Sequence, residues 1–164
     1  LDVGGGTGAL LAAVGTAYPD LPVTLFDLPA VAPAARARFE AAGMAERSTI
    51  TPGSFRDDPL PEGVDTISLI RVLYDHADET VAALVSKCFD TLPEGGRLII
   101  SAPMLGSRAG DVYFAFYTLA MRTGRARSAV EIADICKKAG FLKIETPKAP
   151  RPFVTSVVVA TKAV

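Results

Sequence analysis

The sequence predicts an α/β protein: a mostly parallel seven-stranded sheet with helices on both faces and an antiparallel hairpin at its C-terminal end. Three observations predict it. The glycines of Gly4-Gly5-Gly6-Thr7-Gly8 stand between a short apolar segment and an Ala/Leu-rich one. Apolar runs of strand length then alternate with helical patterns along most of the chain, and two final strand-like segments are joined by a proline-rich turn. With 164 residues, 49% of them hydrophobic, the chain can bury one full core and is expected to form one domain, 1–164.

Leu1 to Val3 reads as the end of a first strand, and Ala9 to Tyr18 as a helix that stops before Pro19. Val23 to Phe26 is a second strand ending at Asp27, and Val31 to Ala42 a second helix closed by Gly43. Ser48 to Thr51 gives a third strand. Asp65 to Val72 gives a fourth, with the unbroken apolar character of a strand covered on both faces. Asp78 to Leu92 is helical; Gly95-Gly96 then turns the chain into the Ile-rich strand Arg97 to Ala102, ended by Pro103. Asp111 to Arg122 reads as a helix with an aromatic stripe, Tyr113, Phe114, Phe116 and Tyr117. Such stripes more often belong to a core than to a ligand surface. Ser128 to Ala139 follows, with Ser128 and Glu131 at the spacing of a capping box and Gly140 as its stop. Leu142 to Glu145 and Phe153 to Thr161 form the closing pair across Pro147 to Pro152.

Composition removes several classes of function. The 17 basic and 18 acidic residues nearly cancel and form no basic block, so a nucleic-acid partner is not expected. Cys88 and Cys136 stand apart, without the spacing of a metal site, and read as buried free thiols. No stretch approaches the roughly 18 apolar residues of a membrane span, which leaves peripheral contact as the only membrane association to expect. The opening Leu1-Asp2-Val3 is not a signal peptide, and it is short for a buried strand; the expectation is a cytoplasmic protein whose natural chain begins upstream.

The glycine run places backbone N–H groups and a helix N-terminus against a ligand with no side chain between them. Gly4, Gly6 and Ala9 satisfy the dinucleotide fingerprint; Gly4, Gly6 and Gly8 satisfy the G-x-G-x-G of methyltransferases. Asp27, about twenty residues beyond, can accept both hydrogen bonds of a ribose diol under either reading, or can simply cap the helix that begins near Pro29. The closing hairpin separates the readings, because a nicotinamide-binding Rossmann domain continues in parallel strands. Methyl transfer also asks little covalent chemistry of the protein beyond alignment and a base.

Asp2 to Gly8, Phe26-Asp27-Leu28-Pro29, Arg71-Val72-Leu73-Tyr74-Asp75-His76 and Leu92 to Leu98 together resemble the catalytic domain of the O-methyltransferase family that includes plant phenolic and bacterial polyketide enzymes. The likeness spans nearly the whole chain. Arg71 to Asp78, Ala109 to Tyr117 and Gly124 to Ser128 are similar, more narrowly, to its carotenoid branch, the hydroxyneurosporene and demethylspheroidene O-methyltransferases of phototrophic bacteria. The resemblance implies the Rossmann-like class I methyltransferase fold and S-adenosylmethionine as cofactor, with S-adenosylhomocysteine as its product. It implies that Gly4, Gly6 and Gly8 surround the methionine part, that Asp27 takes the ribose, and that the adenine lies near Ser54 and Phe55. Asp2, Leu28 and Arg71 complete the implied cofactor set.

The chain departs from the family at two places. Ser54 stands where many relatives have Asp, and hydrogen-bonds an adenine amino group more weakly. Tyr74 stands where the phenolic enzymes have their catalytic His; the single histidine, His76, falls two residues later, and the positions that would orient that base hold Ala102 and Ala126. Tyr74 is therefore the candidate to bind the acceptor hydroxyl, and Asp75 or His76 the candidate to accept its proton, with capping or surface roles as their alternatives. The resemblance further implies a hydroxylated small-molecule acceptor and an N-terminal helical domain that builds a homodimer. Without that domain, apolar surface around Tyr113 to Met121 is expected to be exposed. A nicotinamide-dependent oxidoreductase and a non-catalytic cofactor-binding module are the competing readings.

Overall fold

Asp2–Val3 (β1) lies parallel to Val23–Asp27 (β2), pairing Val3 with Phe26, and β2 lies parallel to Ser48–Pro52 (β3). The computed structural model in which these strands are seen describes residues 1–107, 109–148 and 155–164. The chain divides into two units, Leu1–Pro61 and Glu62–Val164. In the first, the helix Ala9–Ala17 (α1) packs on β2 and Ala32–Ala41 (α2) on β3, with the two helices against each other. Leu11, Val23, Leu25, Ala35, Phe39 and Met44 close its core. Pro33 lies within the first turn of α2, where a missing N–H costs nothing. A short 3-10 turn, Pro29–Val31, precedes α2, so this helix begins one residue later than its composition suggests.

The second unit begins with Thr66–Ile70 (β4), parallel to Arg97–Ala102 (β5). Lys143–Glu145 (β6) and Ser156–Thr161 (β7) are antiparallel to each other, and β7 is antiparallel to β5. The strand order β3-β2-β1-β4-β5-β7-β6 is that of the expected mostly parallel, seven-stranded class I methyltransferase sheet with its closing hairpin. Between β4 and β5 runs Asp78–Thr91 (α3), whose buried Val81, Leu84, Val85 and Cys88 repeat at the spacing of one helical face. That helix packs against Ala129–Ala139 (α5), which buries Ile132 and Cys136. Cys88 and Cys136 are buried and free, as expected, and burial pushes each thiol up to about 12.

Among the described residues, two expected boundaries move by two residues or more. The fourth strand was read to Val72, yet β4 stops at Ile70 because Arg71 takes a left-handed backbone (φ 62), which no strand continues. The helix read from Asp111 to Arg122 begins as a wide π turn, Ala109–Phe114, and is regular only over Ala115–Met121 (α4), where Arg122 (φ 56) ends it. Polar side chains impose the wide turn: Ser107 Oγ accepts from Gly110 N–H at 3.1 Å, and Asp111 Oδ1 from Gly106 N–H at 2.7 Å. The expected start of the last strand, Phe153, and most of the Pro147 to Pro152 turn lie outside the described residues.

Candidate functional site

The cofactor candidates Asp2, Gly4, Gly6, Gly8, Asp27, Leu28, Ser54 and Phe55 belong to the first unit. After β1 the chain turns through left-handed backbone at Gly6 (φ +57) and again at Gly8 (φ +74), where α1 starts. A Cβ on Gly8 would stand 2.7 Å from the Phe39 ring, so both space and conformation demand glycine there. Nothing lies within 4 Å of the Cβ position of Gly6, which leaves that face of the loop open as a cradle for a ligand. Asp2, the first residue of the buried β1, lies behind Gly5 and is only 1% exposed.

Asp27 ties the loop to β2. Its Oδ2 accepts the Gly6 N–H at 2.6 Å and its Oδ1 the Leu28 N–H at 2.7 Å. The following 3-10 turn has Leu28 at its cap position and no side-chain cap bond, so Asp27 does not serve as a helix cap. A carboxylate oxygen accepts two hydrogen bonds, and Asp27 keeps capacity on both oxygens for a diol. Leu28 beside it is 55% exposed, an apolar side chain available to pack on a ligand. Arg38, which sequence reading missed, reaches from α2 and donates from Nε to the Thr7 carbonyl at 3.0 Å, holding the far side of the loop.

Ser54 and Phe55 follow β3. Ser54 Oγ donates to Asp57 Oδ2 at 2.9 Å and accepts Arg56 N–H at 3.3 Å, while Ser54 N–H donates to Asp58 Oδ2 at 2.8 Å. The hydroxyl thus serves its own turn, and two carboxylates that sequence reading passed over gather beside it; the Ser-x-x-Asp spacing was their signal. Phe55 is half-buried.

Arg71 and the catalytic candidates belong to the second unit. Arg71 carries its guanidinium 5.7 Å from the centre of the Phe114 ring. Leu73–Asp75 forms a 3-10 turn that buries Leu73 and Tyr74 and leaves Asp75 and His76 half-buried. The Tyr74 ring meets Phe114 edge-on at 5.1 Å and Tyr117 at 6.1 Å. Burial raises the proton affinity of the Asp75 carboxyl above the ordinary carboxylate range, against the opposing pull of His76, Arg71 and a hydrogen bond from Tyr117. The negative charge of Asp75 in turn raises the Tyr117 phenol. The aromatic stripe is therefore not one core feature: Phe114 is buried in this cluster, while Tyr113 and Phe116 are exposed beside Val112 and Leu119, as the apolar-surface expectation has it. Asp78 is engaged in more than helix capping, because Arg127 and Arg125 hold its carboxyl below the usual range.

A strand, a left-handed glycine turn and a helix, with a carboxylate from the neighbouring strand pinned to the turn, have the geometry of a Rossmann-like nucleotide cradle, and the reversed β7 makes the sheet that of the class I methyltransferases. Within that class, the chain belongs to the O-methyltransferase domain family, whose model matches residues 1–142. It is 55% identical over 99% of its length to a demethylspheroidene O-methyltransferase of Cereibacter sphaeroides, of which it covers 44%. It is 54% identical, again over 99% of its length, to that of Rhodobacter capsulatus, of which it covers 41%. Among solved structures, an O-methyltransferase of neocarzinostatin biosynthesis, in complex with S-adenosylmethionine and 2-hydroxy-5-methyl naphthoic acid, superimposes with a TM-score of 0.85 at 32% identity. That match covers 99% of this chain and 48% of the other. The chain thus spans less than half the length of these relatives. Neither a nicotinamide-dependent role nor a non-catalytic one draws support from them. Among the described residues, no helix is long and apolar enough to cross a membrane, and no group of His, Cys, Asp and Glu is placed to hold a metal ion.

Proposed function

We propose that this chain is the cofactor-binding catalytic part, residues 1–164, of an S-adenosylmethionine-dependent O-methyltransferase that methylates a hydroxyl group of a hydrophobic small molecule, a hydroxylated carotenoid. Likeness above half identity across the whole chain to two demethylspheroidene O-methyltransferases supports the acceptor class. The observation that carries the cofactor is the Asp27 carboxylate pinned by Gly6 and Leu28 beside an open glycine cradle. When bound, the cofactor's sulfonium supplies an electrophilic methyl group and departs as a neutral thioether. Gly4, Gly6 and Gly8 give close backbone approach, Asp27 orients the ribose diol, and Asp2 shapes the loop from behind. Leu28 and Phe55 offer packing surface, Arg71 is assigned to the cofactor by the family resemblance, and the adenine side is completed at Ser54 by the carboxylates of its turn.

The acceptor oxygen gains the methyl group and loses its proton. An alcohol is far less acidic than a phenol, so the proton leaves as the carbon–oxygen bond forms. Asp75 is the residue to take it: its carboxylate is half-buried and has a raised proton affinity. Tyr74 holds the acceptor hydroxyl, and His76 stands beside the carboxylate. In the intact polypeptide, a helical N-terminal domain covers the exposed Val112, Tyr113, Phe116 and Leu119 and builds a homodimer in the cytoplasm, with no nucleic-acid partner and at most peripheral membrane contact.

The test is transfer of labelled methyl from S-adenosylmethionine to demethylspheroidene by the intact polypeptide. The expected result is label in the carotenoid, with Asp75→Asn reducing turnover by about two orders of magnitude, the scale of a general base. Cofactor binding without label in any hydroxylated polyene would overturn the acceptor assignment.

A further inference from the structure

The turn that carries Tyr74, Asp75 and His76 is weakly held by its own backbone. Asp75 N–H reaches the Val72 carbonyl at 3.3 Å and His76 N–H the Leu73 carbonyl at 3.3 Å, both long for amide hydrogen bonds. A second segment, just before α5, supplies what the turn lacks. Arg127 is buried, its side chain 1% exposed, and donates from Nη1 to the Leu73 carbonyl at 2.8 Å and from Nη2 to the His76 carbonyl at 2.9 Å. The same guanidinium is fixed by Asp78 Oδ1, at 2.6 Å from Nη2 and 2.9 Å from Nε, and reaches the Arg125 carbonyl at 3.2 Å. One planar cation thus ties down the carbonyl before Tyr74 and the carbonyl of His76. Gly124 (φ +72) closes the other side: a Cβ there would run into the Tyr74 carbonyl and the backbone of Asp75 and His76.

We infer that Arg127 is a positioning residue for methyl transfer, a clamp that sets the Tyr74-Asp75-His76 turn, with Gly124 as its backing. A guanidinium is suited to this because its donors lie in a fixed fork that bridges two carbonyls and a carboxylate at once. Lysine offers one point charge and can replace the bond to Asp78 but not the bridge. Misplacing a reacting group by about 1 Å can cost about a hundredfold in rate. The inference rests on the reading of Asp75 as the proton acceptor, and the test separates the two.

In the intact polypeptide, Arg127→Lys is expected to keep its S-adenosylhomocysteine affinity within about twofold and to lose tenfold or more in kcat. In a double-mutant cycle with Asp75→Asn the losses should not add, since a misplaced base and a missing base remove the same step. Gly124→Ala, which moves the same backbone without changing charge, should show the same split between turnover and cofactor affinity; it stands in if Arg127→Lys fails to fold. Wild-type kcat in both variants, or losses that add fully to that of Asp75→Asn, would overturn the clamp. Wild-type turnover in Asp75→Asn would instead overturn the base assignment, and the same cycle run on His76→Gln and Tyr74→Phe would then decide the clamp.

Discussion

At the scale of single residues, the proposed cofactor site rests on one carboxylate. Asp27 accepts backbone N–H bonds from Gly6 and Leu28 on separate oxygens, so an amide in its place satisfies only one of them and sets an NH₂ against the other donor. Hydrogen bonds to a charged partner are worth about 1.5–3 kcal/mol. Asp27→Asn is therefore expected to weaken S-adenosylhomocysteine binding by about 10- to 100-fold in calorimetry, with little change in acceptor KM; unchanged affinity would remove Asp27 from the site. The sequence marks this residue as a candidate because a carboxylate at the end of the second strand, about twenty residues beyond a glycine turn, can reach a ribose diol; its bonds to Gly6 and Leu28 are what the structure adds. Arg127 and Arg38 were not legible in the sequence. Their roles consist of bonds to carbonyls far along the chain, Leu73 and Thr7, and no local pattern marks a guanidinium that serves a distant backbone.

At the scale of elements, periodicity was a reliable guide where a face is buried or a cap is local. Helix α3 shows its core face at every turn, and α5 starts where Ser128 and Glu131 said it would: Ser128 Oγ accepts the Glu131 N–H, and Glu131 accepts the Ser128 N–H at 2.8 Å. That second bond, with Arg125, pulls the Glu131 carboxyl from its ordinary 4.5 down to about 2. A lowered carboxylate stabilises the fold fully above about 4.5, and the contribution fades as pH falls from there toward about 2. Glu131→Gln should accordingly lower the urea midpoint at neutral pH and flatten its decline over that acid window; a parallel decline in both proteins would contradict the capping role. The start of α4 escaped the sequence for a different reason. Ser107 and Asp111 bond the loop before it and widen its first turn, an effect of side-chain chemistry that apolar spacing does not carry. The early end of β4 likewise reflects the left-handed backbone of Arg71, in a stretch whose letters read as uninterrupted strand.

At the scale of the whole molecule, the alternation of strands and helices, the glycine turn and the closing hairpin were sufficient to foresee the sheet, because each follows from local composition and connection length. The catalytic side was harder to foresee. The only histidine is not where the family's phenolic enzymes have theirs, and the choice among Tyr74, Asp75 and His76 depends on burial and on Tyr117, which the sequence offered only as part of an aromatic stripe. The proposed function stands on the glycine cradle and Asp27 serving S-adenosylmethionine. Calorimetric titration of the intact polypeptide with S-adenosylhomocysteine, and separately with NAD, tests it most directly. Saturable one-site binding of S-adenosylhomocysteine with no heat from NAD is expected; saturable binding of NAD with none of S-adenosylhomocysteine would assign the cradle to a nicotinamide cofactor instead.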